Sequence, residues 1–319
     1  MSGRLESPDI TLEDISVGYG DRVVLSGIDT VLPGGRISVI LGGSGSGKST
    51  LLRNIIGLVP IQTGRILLAG RDMAEMGPED RLEMRRRMGV LFQDGALLGS
   101  LPLGENIALP LREHTDLSNS LIEEVVGMKL KLVGLADFIG YFPSELSGGM
   151  RKRAGLARAM ALDPAVLLCD EPTSGLDPVT AADMDQLVLE LKATFNMTIV
   201  VVSHDLQSLR AIADHVVVVN QGRMLFEGPP DALAASEDPF IVQFLSRQPS
   251  RESRILDGPW AERTGEHPPP AAPGGTSGTA AATAPPASPA APAASSGTES
   301  ATAPQSASGA AAGITNGGA

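Results

Sequence analysis

The chain has 319 residues, 42% of them hydrophobic, and a formal net charge of −12. That length suits one large domain or two ordinary ones, and the acidic balance argues against a general nucleic-acid binder while leaving room for a local nucleotide site. A single cysteine, Cys169, excludes an internal disulfide framework, and its place in the apolar run "AVLLCD" reads as packing.

The opening "MSGRLESPDITLED" lacks the apolar h-region of a signal peptide. No stretch approaches the roughly 18 apolar residues of a membrane span. The expectation is a cytosolic or peripheral protein, and any membrane it serves must be crossed by another chain. In chain order, "ITLEDISVGY" and "VVLSGIDTVL" read as strands of an antiparallel sheet. "RISVILG" is a buried strand, "GKSTLLRNIIGL" a helix ended near Gly57 and Pro60, and "GRILLAG" a strand. "RLEMRRR" predicts a short basic helix and "MGVLFQ" a strand; "SLIEEVVGMKLKLVGL" and "GMRKRAGLARAMAL" predict helices. "AVLLCDE", "TIVVVSH" and "HVVVVNQ" are apolar strands separated by helices, which implies a mostly parallel sheet covered on both faces. The helical block interrupting that alternation, about 94–162, reads as a subdomain inserted into an α/β core. Residues 8–247 form the expected domain. From Pro268 to Ala319 the chain is almost entirely Ala, Pro, Ser, Gly and Thr, with Glu299 the only charge, so 268–319 is expected to be disordered. The extension 248–267 carries "RILDGPW", whose Ile255, Leu256 and Trp260 could dock on a partner.

Two glycine-containing loops that open helices are candidates for phosphate. "GGSGSGKST" (Gly42, Gly43, Ser44, Gly45, Ser46, Gly47, Lys48, Ser49, Thr50) lies between a strand and a helix and fits G-x-x-x-x-G-K-[ST]. Its glycines let backbone N–H groups curl around phosphate, Lys48 meets the β- and γ-phosphates, and Ser49 can ligate Mg²⁺. "VLLCDE" ends a strand in two carboxylates: Asp170 can hold Mg²⁺ and Glu171 can orient and polarise a water. His204 ends "VVVSH", where it could contact a γ-phosphate; His114, His215 and His267 read as structural or exposed. Ser147, Gly148 and Gly149 open the basic helix "MRKRAGLARAM". This is either a capped helix with solvated cations or a second anion-binding terminus. One nucleotide already has its loop, so the second terminus makes sense if it serves a nucleotide held by another copy.

"GGSGSGKST", "LSGGM", "VLLCDEPTSGLD" and "VVSHD", in that order, resemble the ABC-transporter ATPase family over roughly residues 8–245. The resemblance implies the ABC ATPase fold: a P-loop NTPase core of α/β class with a mostly parallel sheet, an antiparallel β subdomain and an inserted helical subdomain. It implies ATP hydrolysis with ATP and Mg²⁺, Lys48, Glu171 and His204 being catalytic, in a head-to-tail dimer of two composite sites. Tyr19 would stack on adenine, and Gln93 would be the coupling-loop glutamine that also reaches the metal held by Ser49 and Asp170. Ser174 to Asp177 would contact the partner, and Ser147 to Met150 would face the other copy's γ-phosphate. Met150 stands where the family usually has Gln, which touches fine tuning only. "LFQDGALLGSLPLGENIALPLREHTDLS", "PSELSGGM" and "LDGP" are similar, more narrowly, to the ATPases of MCE-type (Mla) lipid transport systems. That likeness implies a phospholipid transporter at the cytoplasmic face of the inner membrane, with a transmembrane permease, a STAS-domain protein and a periplasmic MCE protein as partners. The alternatives are the ATPase of a polar-solute importer and a soluble non-transport ABC ATPase.

Overall fold

Strands whose residues all lean inward need cover on two sides, and this governs the architecture. In the computed structural model, which describes residues 7–20 and 22–246, the elements in chain order begin with β1 (Ile10–Tyr19), β2 (Arg22–Leu32), β3 (Ile37–Leu41), α1 (Lys48–Ile55), β4 (Thr63–Leu68), β5 (Arg71–Asp72), α2 (Pro78–Arg86) and β6 (Met88–Leu91). Next come α3 (Leu103–His114), α4 (Asn119–Leu132), α5 (Gly148–Ala159), β7 (Val166–Asp170), α6 (Pro178–Phe195), β8 (Thr198–Ser203) and α7 (Leu206–Ile212). The last are β9 (His215–Asn220), β10 (Arg223–Gly228), α8 (Pro230–Ala234) and α9 (Pro239–Ser246). All of these lie in one compact unit. Residue 247, the extension 248–267 with its docking motif, the tail 268–319 and His267 lie outside the described residues.

A six-stranded sheet runs β10-β9-β3-β8-β7-β6, parallel throughout except for the antiparallel edge pair β9–β10. A separate four-stranded sheet, β2-β1-β4-β5, is antiparallel. All five residues of both β3 and β7 are buried. Alternation then assigns side chains to two cores: Ile37, Val39 and Leu41 pack with the helices α3–α6, while Ile40 packs with α1 and the antiparallel sheet. Each fully buried aliphatic side chain contributes about 1.5–3 kcal/mol, so both faces must be covered for these strands to persist. Cys169 faces the helical core, wholly buried, its thiol pushed up to about 12 by desolvation first and the Asp170 charge second. It is a packing residue.

The helical insert is α3, α4 and α5. Within the helical block expected over about 94–162, the sequence carries no separate signal for α3, because Gly104 and Pro110 break its pattern. Buried Asn106 compensates: its amide accepts from Leu98 N and donates to the carbonyls of Leu98, Leu101 and Pro102. The strand expected over 88–93 ends at Leu91, so Gln93 sits in the turn after it, closed by Gly95 N–H to Phe92 O at 2.8 Å. The edge strand β10 carries no apolar alternation and was not legible; its residues are half-buried or exposed.

Candidate functional site

Four of the nine loop residues at 42–50 are glycine, and at two of them the backbone passes too close to its neighbours for a side chain. A Cβ at Gly47, where φ is +98°, would lie 2.7 Å from Leu25 Cγ; one at Gly42 would lie 2.2 Å from Val219 O. At Gly43 and Gly45 a Cβ would meet nothing within 4 Å, so the cradle there is open. Lys48 is the first residue of α1 and is buried; its ammonium donates to Gly42 O and Gly43 O, both at 2.9 Å. Desolvation lowers its pKa, opposed by the charges of Glu171 and Asp170. The Ser46 hydroxyl is buried with no protein partner. An open, amide-lined loop with a buried cation and an unpartnered hydroxyl fits a polyphosphate.

β7 delivers the acids and β8 the histidine. Asp170, the last residue of β7, accepts from Ser49 Oγ at 2.8 Å. A hydroxyl and a carboxylate side by side are hard oxygen donors suited to Mg²⁺. Among the described residues no group of three or more His, Cys, Asp or Glu could hold a metal. Glu171 follows in the left-handed region, φ +51°, its carboxylate oxygens 2.9 and 2.7 Å from His204 Nδ1. His204 is mostly exposed and follows β8. Tyr19 is half-exposed; its hydroxyl meets Thr50 Oγ1 at 3.3 Å and accepts from Arg53 at 3.2 Å, and these contacts lower its pKa, the Thr50 contact most. With Arg22, Val24 and residues 45–50 it lines a cleft of about 310 Å³. Ser44 is exposed at the loop's crest.

Not every expected residue joins this cluster. Gln93 is exposed in its turn and makes no hydrogen bond to Ser49 or Asp170. Ser147 caps α5, its Oγ accepting from Met150 N at 3.2 Å, so the capping half of the sequence reading is literal. Ser147 and Gly148 are exposed, while Gly149 is buried against Thr180. None of the three hydrogen-bonds to the 42–50 loop of its own chain. His215 lies beside Glu227 at 3.5 Å, and burial lowers its pKa; His114 is exposed at the end of α3. Arg53, which reaches Tyr19, and buried Lys152, which reaches the Glu171 carbonyl, escaped the sequence reading. Lys152 has a faint signal: positions 149, 152 and 156 share one helical face, and its other two members are Gly and Leu.

A family model described as ABC transporter matches residues 25–174. The chain is 43% identical over 237 residues to the probable ribonucleotide transport ATP-binding protein mkl of Mycobacterium leprae, covering 74% of this chain and 68% of that protein. It is 41% identical over 250 residues to the intermembrane phospholipid transport system ATP-binding protein MlaF of Escherichia coli K12, covering 78% and 90% respectively. Among solved structures, it is similar to a dimeric ATP-binding cassette in a post-hydrolysis state with ADP and Pi. The TM-score is 0.64 at 28% identity, over 69% of this chain and 98% of that one.

Proposed function

We propose a function from the premise that this chain belongs to the ABC transporter family, as one of its ATP-hydrolysing subunits. It powers phospholipid transport as the peripheral ATPase of a membrane complex of the MCE type, at the cytoplasmic face of the inner membrane. The observation that carries this reading is 41% identity to a phospholipid transport ATPase across 90% of that protein's length. No described helix is long and apolar enough to cross a membrane. As the family membership implies, a transmembrane permease completes the transporter. A STAS-domain protein and a periplasmic MCE protein are the further partners.

Two copies close head to tail on two ATP molecules. Lys48 exchanges its loop carbonyls for β- and γ-phosphate oxygens, and the N–H groups of residues 43–50 surround them. Tyr19 stacks on adenine. Ser49 and Asp170, with Gln93 swung in from its turn, would hold Mg²⁺, which would compensate phosphate charge. Glu171 accepts a proton from water as the water oxygen bonds to the γ-phosphorus and the bond to the bridging oxygen breaks, leaving ADP and phosphate. His204 Nδ1 holds the Glu171 carboxylate, leaving its second ring nitrogen free to face the γ-phosphate. Ser147, Gly148 and Gly149 meet the γ-phosphate of the partner's ATP.

In the permease-bound complex, E171Q should keep ATP binding and lose turnover by about 10²–10⁴-fold, the span of general-base catalysis. K48A should lose both. Turnover of either variant at the wild-type rate sinks the site assignment. Mass spectrometry of the purified complex should find co-purifying phospholipid. ATPase stimulated by ribonucleotides, with no lipid retained, would favour the polar-solute alternative that the mycobacterial relative's name supports.

A further inference from the structure

Lys152 is a buried ammonium that touches no carboxylate. It lies on α5 between the exposed Arg151 and the partly exposed Arg153, and is itself only 5% exposed. All three of its protons are used: on Glu171 O at 2.9 Å, Ser174 O at 2.6 Å and Ser174 Oγ at 3.0 Å. Ser174 Oγ donates to the same Glu171 carbonyl at 3.0 Å, and Ser174 N–H reaches it at 3.2 Å. On the other side, the Glu171 N–H is pinned to Val202 O at 2.9 Å. Glu171 needs this restraint, because a side chain at φ +51° persists only where its surroundings over-determine the backbone. Desolvation lowers the Lys152 pKa, but the charges of Asp94 and Glu171 oppose the loss of its proton.

α5 starts at Gly148, about one turn before Lys152. Resting on the function proposed above, we infer that Lys152 is a positioning residue joining two sites: it ties the helix whose first turn meets the partner's ATP to the backbone that aims this chain's own Glu171. The contact is made of fixed hydrogen bonds rather than a surface ion pair, so a shift of α5 on phosphate capture moves the Glu171 carbonyl and the Ser174 loop with it. The 149–180 packing contact runs beside it, from Gly149 to Thr180.

The test uses the full chain in its permease-bound complex. K152M keeps the bulk and loses every donor. Its kcat should fall about tenfold or more, while KM and the affinity for a fluorescent ATP analogue stay within about twofold, because the 42–50 loop is untouched. K152R or K152Q, which keep donors, should restore much of kcat. A mixed dimer assigns the site on which Lys152 acts. With K152M on one chain and E171Q on the other, action on the lysine's own Glu171 damages both sites, so turnover falls below that of a wild-type/E171Q dimer. Turnover equal to that reference would mean that Lys152 only supports the helix for the partner's site, and would overturn the inference. Unchanged kcat in K152M, kcat and affinity falling together, or no recovery in both K152R and K152Q would also overturn it. Where the reference dimer is itself silent, the division between kcat and KM decides. E171Q homodimers with wild-type turnover would instead refute the underlying function.

Discussion

Gly148 and Gly149 differ by one position and by what a methyl group would strike. At Gly149 an added Cβ lies 2.6 Å from Thr180 Cγ2, and Thr180 cannot rotate freely because its Oγ1 donates to Asp177 Oδ2 at 2.6 Å. At Gly148 the nearest atom is Leu176 Cδ2 at 4.0 Å. G149A should therefore lower the melting temperature by several degrees, since overpacking costs about 1–3 kcal/mol. G148A should leave stability unchanged or slightly raised, because Ala suits a helix better than Gly. Its ATPase rate should nevertheless fall, the methyl standing where the partner's phosphate approaches. Thermal melts beside ATPase assays separate the two, and a G148A enzyme with full turnover would count against the trans role of that glycine. The sequence showed the glycines and their helix start. It did not show which one is packed and which is free, because Thr180 comes from α6, 31 positions after Gly149.

At the scale of elements, α6 and α7 are joined by a buried carboxyl. Asp185 accepts from Ser208 Oγ at 2.8 Å, and Ser208 Oγ lies 3.2 Å from Thr173 Oγ1 in the loop after Glu171. Its other oxygen has no partner. Desolvation raises its pKa from 3.8 to about 6, against the Ser208 hydrogen bond and with some help from the Asp205 charge. Between those values the folded chain binds a proton that the unfolded chain has released. This group therefore favours folding below about pH 4 and loses that contribution as pH rises through 6. D185N removes the titration. Urea midpoints measured from pH 4.5 to 7.5 should show the difference D185N minus wild type increasing with pH, by at most about 1.4 kcal/mol per unit within the window. A difference independent of pH would place the Asp185 pKa at its ordinary value. Period-2 and period-3.6 patterns made most elements readable, from β1 to β9. They failed at α3, where Pro110 interrupts the helix and buried Asn106 holds the preceding loop, and at β10, an edge strand with no alternation to read.

For the whole molecule, the lack of any hydrogen bond from Ser147–Gly149 to the 42–50 loop of the same chain is consistent with the head-to-tail proposal. Take K48A on one chain and S147R on another. Each homodimer has two damaged sites, whereas the mixed dimer concentrates both lesions in one site and leaves the other intact. Mixing the inactive variants in the permease-bound complex should restore part of the ATPase activity. If mixed dimers form and remain silent, an ATP-dependent cross-link between cysteines at positions 44 and 148, with Cys169 replaced, decides. Its absence would reject the composite site.

Motif order by itself determined the family and located the glycine-rich loop, the acids at the end of β7 and the histidine after β8, because close backbone approach restricts residue choice at fixed local spacing. It also determined that β3, β7, β8 and β9 are buried strands, since an apolar run cannot remain half in water. Only tertiary structure decided that Glu171 adopts a left-handed backbone and meets His204, and that Ser49 adjoins Asp170. It alone turned Lys152 inward while Arg151 stays at the surface. These are contacts between residues 19 to 121 positions apart, and they exist only because parallel strand pairing brings β3, β7 and β8 into one register, with α5 packed against the loop that follows β7.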